Sequence, residues 1–157
     1  MVKQVRGSLN QVLNYSDSEA YFSECGRYRW YLKRRFNDKQ RKLIFIGLNP
    51  SKANKINDDQ TMKRLSGFCN CWGYGELIVV NLFAIISPSP RILKLCIDPV
   101  GINNDKEITS QVMKWSKSSI YDLWLAWGNQ GSFQDRNSIV VNFLKPYFID
   151  RLRNFPR

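Results

Sequence analysis

The chain has 157 residues, of which 43% are hydrophobic and 24% charged, a composition typical of a folded globular domain that excludes a disordered chain. Its apolar runs are too short to cross a bilayer, and its first residues lack the apolar core of a signal peptide, which favours a cytoplasmic protein without membrane contact. Lys and Arg number 24 against 13 Asp and Glu, and this net charge of +11 favours nucleic acid as a partner over a basic protein that is merely soluble.

The lack of histidine limits the chemistry that the sequence can support. Without an imidazole, Ser-His-Asp and Cys-His catalytic sites and His-containing zinc sites are excluded. The cysteine pair Cys69 and Cys71 does not have the C-x-x-C spacing of a zinc site, and no phosphate-binding glycine motif is present. We therefore expect reduced thiols, no metal and no cofactor.

The first half of the chain predicts strands with one helix between them. Residues 21–22 and 28–36 predict an antiparallel strand pair. The apolar runs at 42–48 (KLIFIGL) and 76–82 (ELIVVNL) predict two buried strands. Between them, the helical spacing of apolar residues predicts a helix over 58–72.

The second half of the chain continues this alternation. It predicts helices at 90–96 and 104–118 and a third buried strand at 121–127 (YDLWLAW). A further helix is predicted at 133–144, ending before the next proline, with a short last strand at 147–149. The whole pattern predicts one α/β domain over residues 1–157, with a mostly parallel central sheet covered on both faces.

Polar or glycine-rich segments follow each of the three buried strands. These segments are 49–51, 81–84 and 128–131. Because ligands of such sheets bind beyond the carboxyl ends of the strands, the three segments predict one shared site.

Two amides and a pair of carboxylates are the candidate functional groups at this edge. Pro50 restricts Asn49, whose amide could orient a water or a ligand, although Asn-Pro-Ser is also typical of a turn. Asn81 ends an apolar strand, so its amide needs a partner, either a nucleobase edge or the adjoining loop. Asp58 and Asp59 either cap the following helix or supply a carboxylate as proton acceptor or ribose ligand.

Basic residues concentrate in two parts of the chain. Residues 27–42 interleave Arg and Lys with aromatic residues, and a smaller cluster spans 52–64. The first segment is either a solvated strand pair or a surface that contacts phosphates while an aromatic ring stacks on a nucleobase.

Six segments together resemble domain-of-unknown-function family 1643. They are FSECGRYRWYLKRRF, IGLNPSKAN, DDQTMKR, WGYGELIVVNLFA, DPVGINND and LAWGNQG, in that order over residues 22–131. This family is itself similar to the uracil-DNA glycosylase superfamily. GLNPS resembles the GINPG motif of its mismatch-specific branch, LIVVN resembles a strand that ends in a base-reading asparagine, and LAWGNQG resembles a strand and loop that run LLWG.

The resemblance implies a three-layer α/β/α fold and a pocket for a nucleobase taken out of the DNA stack. It implies a DNA-acting protein, a candidate DNA glycosylase that hydrolyses the N-glycosidic bond of a modified or mismatched base. Asn49 would position the attacking water, with Asp59 as the candidate carboxylate, and Asn81 would read the base. The other residues assigned to the base pocket are Gly47, Pro50, Ser51 and Phe83. Those assigned to the nucleic-acid backbone are Arg34, Arg35, Lys52, Lys55, Gly128, Asn129 and Gln130.

One departure from that superfamily leaves alternatives open. Its late His-Pro-Ser segment is missing, and the end of this chain at 154–157 (NFPR) is either a remnant or a truncation. A non-catalytic nucleic-acid or nucleotide-binding module is therefore the alternative. A metal-dependent hydrolase using Asp58, Asp59 and Asp105 ranks lowest because no metal-ligand spacing supports it. The base, the choice between DNA and RNA, and the oligomeric state stay open.

Overall fold

The computed structural model of the protein describes residues 14–156. Within them the strands are β1 (Asp17–Phe22), β2 (Arg29–Arg35), β3 (Lys42–Gly47), β4 (Glu76–Asn81) and β5 (Tyr121–Leu125). The helices are α1 (Gln60–Cys71), α2 (Pro90–Leu93), α3 (Asn104–Lys117) and α4 (Arg136–Asn154), with a 3₁₀ segment at Asn129–Asp135. The mixed α/β class predicted from the sequence is confirmed.

The five strands form one sheet in the order β1-β2-β4-β3-β5. β3 pairs in parallel with both β4 and β5, whereas β2 is antiparallel to both β1 and β4. The sheet is therefore mixed, and the prediction of a mostly parallel sheet holds only for its β4-β3-β5 half. The reason is that the predicted β1–β2 pair joins the same sheet and brings two antiparallel pairings with it.

Helices cover both faces of the central strands. Leu43 and Leu77 pack with α1 on one face, while Ile44 and Ile78 pack with α3 and α4 on the other. Successive side chains of a strand point to opposite faces, so two covered faces require the continuous apolar runs of β3 and β4. The predicted third buried strand differs, because β5 is an edge strand whose Trp124 is 38% exposed.

The last helix is longer than its local sequence predicts. α4 continues through Pro146 to Asn154, where a break and a short strand were expected. A proline inside a helix costs roughly 3 kcal/mol, but contacts beyond it offset this cost. The Arg151 guanidinium donates to the carbonyl oxygens of Trp115 at 2.6 Å and Ser118 at 2.7 Å. No helix of residues 14–156 has the length and apolar character needed to span a membrane.

A buried ion pair ties the loop before α1 to strand β2. The Arg34 side chain is fully buried, and its Nε and Nη2 donate to Asp58 Oδ1 at 3.0 and 2.7 Å. Arg34 also donates to the Asn54 carbonyl, and the Tyr15 hydroxyl donates to Asp58. Burial, with the hydrogen bond to Asp58, raises the pKa of Tyr15 to about 12. This network fixes the loop at 51–59 against the sheet.

Replacing Arg34 with methionine should destabilise the protein by about 3–5 kcal/mol, because Asp58 would remain buried without its partner. The matched control is Arg41→Met, which removes the exposed pair between Arg41 and Asp122 and should cost at most about 1 kcal/mol. Urea unfolding of both variants checks the prediction. Equal losses would show that burial of the Arg34 pair has no special effect.

Candidate functional site

A cavity of about 270 Å³ lies where the carboxyl ends of the central strands meet. β3 and β4 both end at its wall, and the segment at 51–65 and the loop at 87–90 enclose it. The predicted convergence of the segments after β3 and β4 is therefore present. The segment after β5 contributes only Ala126 among the described residues.

The floor of the cavity depends on a glycine. Gly47 and Asn81 are register partners at the ends of the parallel strands β3 and β4. A Cβ added to Gly47 would lie 2.8 Å from Asn81 Oδ1 and 2.9 Å from a ring carbon of Phe45. Both distances are shorter than side chains tolerate, so the missing Cβ lets the amide and the ring approach the Gly47 backbone.

Asn81 presents an amide without a protein partner to this cavity. The residue is 4% exposed, and its Nδ2 has no hydrogen-bond acceptor among the described residues. Its backbone carbonyl is held at 2.9 Å by Nδ2 of Asn104, which also donates to the Leu82 carbonyl. A buried donor left unpaired costs about 1–3 kcal/mol, so a ligand with an acceptor atom would gain from binding here.

Asn49 also lines the cavity, with its side chain in a fixed orientation. Its Nδ2 donates to the carbonyl oxygens of Pro50 at 3.0 Å and Ser87 at 3.1 Å. Both amide hydrogens are therefore used, while Oδ1 accepts no hydrogen bond from the described part of the chain. The free oxygen can accept from a water or from a ligand donor. Pro50 is buried and supplies this carbonyl without lining the cavity.

Asp59 lines the cavity as the cap of helix α1. One carboxylate oxygen accepts from the Met62 N–H at 2.9 Å, and the other accepts from the Ser51 hydroxyl and from the Ala53 N–H at 3.3 Å. Burial opposes ionisation, but these hydrogen bonds and the charge of Arg29 outweigh it and lower the pKa of Asp59. Its carboxylate stays ionised and is a poor proton acceptor.

Arg29 also lines the cavity, a position that no sequence motif predicts. It is 3% exposed; its Nη1 donates to the Ala53 carbonyl at 2.9 Å, and its Nε has no partner among residues 14–156. Desolvation lowers the pKa of Arg29 to about 10, although the charge of Asp59 opposes this shift. The alternation of residues along β2 does not predict this position, because the pairing with β1 is irregular here. Tyr21 pairs with Tyr31 but Phe22 pairs with Arg29, and this register shift changes the face of the sheet on which Arg29 lies.

The aromatic wall of the cavity also differs from the prediction. Phe83 is fully buried in the core with α3 and α4, at 5.6 Å between ring centroids from Phe133. It cannot contact a ligand in this cavity, because the polypeptide after β4 turns its side chain into the core. Phe45 lines the cavity instead, and its ring meets Trp124 edge-on at 5.3 Å.

The residues assigned to a nucleic-acid backbone fall into three groups. Arg34 is fully buried against Asp58, so its guanidinium cannot reach a phosphate, and Arg35 pairs with the buried Glu76 at 3.1 Å. Lys52 and Lys55 are exposed on the segment that encloses the cavity. The remaining three, outside the cavity lining, are exposed: Gly128, Asn129 and Gln130.

The aspartates of the metal-dependent alternative occupy separate positions. Asp58 pairs with Arg34, Asp59 caps α1, and Asp105 pairs with Arg136. Within the described range 14–156, no group of three or more acidic or cysteine side chains is placed to hold a metal ion.

Replacing Asp59 with alanine should cost about 0.5–2 kcal/mol at neutral pH, because the capping acceptor is lost. Since folding lowers the pKa of Asp59, its charge stabilises the protein above the ordinary carboxyl value of about 4. This contribution disappears as the pH falls through the lowered value. The matched variant Asp59→Asn keeps a capping side chain that does not titrate. Urea unfolding from about pH 7 to about pH 3 should therefore show wild type and Asp59→Asn converging in acid; a constant difference would contradict the prediction.

Comparison with known proteins gives one family. Searches of curated protein sequences and of solved structures found no match. The family model described as "Protein of unknown function (DUF1643)" matches residues 29–152, which cover β2 through most of α4 and include the whole cavity lining. Because the match covers more than half of the chain, the protein belongs to the DUF1643 family.

Proposed function

We propose that the protein takes a nucleobase of DNA into this cavity and hydrolyses the N-glycosidic bond of a modified or mismatched base. The observation that carries the proposal is the unpartnered amide of Asn81 in a cavity that also holds the fixed amide of Asn49 and the ring of Phe45. The resemblance of GLNPS and LIVVN to uracil-DNA glycosylase motifs supports it. Under this proposal the helices on both sheet faces are the layers of a glycosylase-like sandwich.

Base recognition would use Asn81 and Phe45. A side-chain amide offers a donor and an acceptor side by side, which matches a base edge carrying an acceptor next to a donor. The buried Nδ2 gains a full hydrogen bond when that acceptor arrives, since no protein atom competes for it. The Phe45 ring supplies the apolar contact that a planar heterocycle prefers.

Hydrolysis would use the free oxygen of Asn49 to orient a water. The bond between the sugar C1′ and the base nitrogen breaks, and its electron pair leaves with the base. Water oxygen bonds to C1′, and one water proton ends on the base nitrogen, which gives a free base and an abasic sugar. The sugar cation is electrophilic, so the water needs orientation more than a strong proton acceptor. The ionised, hydrogen-bonded Asp59 suits a positioning role for the adjoining loop and an electrostatic role near that cation.

Phosphate contacts would come from the exposed cations next to the cavity. Lys52 and Lys55 lie on the enclosing segment, and the exposed Lys63 and Arg64 lie on α1 between the lining residues Met62 and Leu65. Their exposed ammonium and guanidinium groups can reach a DNA backbone while the cavity holds a base. The net charge of +11 is consistent with such a partner.

The geometry of Asp59 also favours a second candidate function, binding without chemistry. The Asp59 carboxylate already accepts from the Ser51 hydroxyl and from the N–H groups of Ala53 and Met62, and the chain has no histidine. The cavity therefore offers no strong general base for hydrolysis. A protein with this site would hold a base or nucleotide and release it unchanged. Base release separates the two functions, because only the hydrolase leaves abasic sites.

Asn49→Ala should reduce base release by at least about 100-fold, because the attacking water loses its orienting group. The assay incubates the protein with duplex and single-stranded oligonucleotides that carry uracil, hydroxymethyluracil or mismatches, and detects abasic sites. Asn81→Ala should weaken discrimination among these bases. The control is Asn142→Ala, an exposed asparagine on α4, which should leave the rate unchanged.

These measurements test the roles of Asn49 and Asn81 separately from the question of whether the protein is a hydrolase. Equal rates for wild type and Asn49→Ala would remove the water-orienting role. Absence of product from wild type across the whole panel, with tight binding of modified oligonucleotides retained, would support the binding module.

Replacing Lys52 and Lys55 together with alanine should weaken DNA binding by a similar factor for every sequence. The slope of log affinity against log salt should fall by about 0.9 for each lost phosphate contact. The control pair is Lys106→Ala with Lys117→Ala on α3, which packs on the opposite face of the sheet from α1. Fluorescence anisotropy at several salt concentrations measures the slopes, and the same slope for both double variants would exclude the two lysines as contacts.

A further inference from the structure

We propose that Arg29 makes the cavity an anion site, and that the anion it takes is a planar heterocycle: the nucleobase in its negatively charged form. The inference deepens the proposed function and rests on it for the identity of the ligand. It adds a residue that neither the sequence motifs nor the family description assigns.

A buried guanidinium normally has a carboxylate partner, and the two buried arginines of β2 differ in this respect. Arg34 is fully buried and is neutralised by Asp58 at 2.7 Å. Arg29 is equally enclosed, but it donates only to the Ala53 carbonyl, and the described residues offer no acceptor to its Nε. A buried charge without a partner is costly, so an arriving anion would be stabilised at this position more than in water.

Asn81, at the end of the neighbouring strand β4, supports the same conclusion. Arg29 and Asn81 are two cavity residues that are more than nine-tenths buried, and each has one nitrogen donor without a partner. Two unsatisfied donors, one of them charged, are complementary to a ligand that presents acceptor atoms and negative charge. Asp59 acts on Arg29 through its charge but forms no ion pair with it, and its oxygen atoms accept from Ser51 and two backbone N–H groups. The charge of Asp58, which also acts on Arg29, is paired with Arg34.

The shape of the lining favours a planar anion over a phosphate. Phe45, Met62 and Leu65 provide an apolar wall, which would face the flat surface of a heterocycle but would leave the oxygen atoms of a phosphate unpaired. When an N-glycosidic bond breaks as described above, its electron pair leaves the base with one negative charge. Arg29 would stabilise this negative charge as it develops in the transition state. A fixed cation lowers the activation barrier most when it acts on charge that forms at that point.

The test compares two ligands of similar size and shape. Barbiturate is a planar pyrimidine that is an anion at neutral pH, and uracil is its neutral counterpart. Calorimetry on the whole chain should show wild type binding barbiturate about tenfold more tightly than uracil, the advantage of one charge-assisted hydrogen bond. Arg29→Gln should remove the preference, and Arg29→Lys should restore part of it. The control Arg27→Gln changes an exposed arginine two residues away and should keep the preference.

The outcomes keep this inference separate from the proposed function. A wild-type protein that binds uracil and barbiturate equally, or binds neither, overturns the anion site whether or not the Arg29 variants fold. Inorganic phosphate that binds more tightly than barbiturate, with loss in Arg29→Gln, overturns the planar ligand. The base-release assay tests the hydrolase independently of this inference. Abasic product without a preference for barbiturate would support the hydrolase and overturn the anion site. A preference for barbiturate without abasic product would support the anion site and overturn the hydrolase.

Discussion

The parallel pairing of β3 with β4 is the constraint on which the candidate site depends. Their shared register places Gly47 beside Asn81 at the ends of both strands, and the missing Cβ of the glycine leaves room for the amide and for Phe45. Asn104 then fixes the Asn81 backbone from α3. The packing of α3 on one face of the sheet thus fixes Asn81, which lines the cavity beside α1. The fold itself therefore holds the site rigid.

Two buried arginines on one strand have different consequences. Arg34 meets Asp58 and fastens the enclosing segment to the sheet, so its contribution is to stability. Arg29 meets only a backbone carbonyl and leaves positive charge at the cavity wall. The burial of the two is similar, and what distinguishes them is that Arg34 forms a direct ion pair with a carboxylate, whereas Arg29 is influenced by the charge of Asp59 without pairing with it. The same segment thus receives one anchoring cation and one cation available to a ligand.

The distribution of basic residues changes the surface that nucleic acid would meet. The stretch at 27–42 has the most basic residues, but β2 lies between β1 and β4, so Arg29 and Arg34 are covered by neighbouring structure. The exposed cations next to the cavity belong to the smaller cluster, represented by Lys52 and Lys55. Charge density along a sequence therefore overestimates charge at the surface wherever a strand is central in its sheet.

The sequence by itself determined the central strands, helix α1 with an aspartate before it as the candidate cap, and the placement of Asn49 and Asn81 at one edge of the sheet. The choice of Asp59 over Asp58 as the cap came from the structure. Apolar runs, capping residues and strand-end polarity are local patterns, and the crossover rule for parallel strands brings their ends together. Only the tertiary structure decided that Arg29 and Phe45 line the cavity, that Phe83 does not, and that α4 continues through a proline. Each of these depends on a register step, an edge or a distant contact between elements, and the energies of such contacts exceed local preferences.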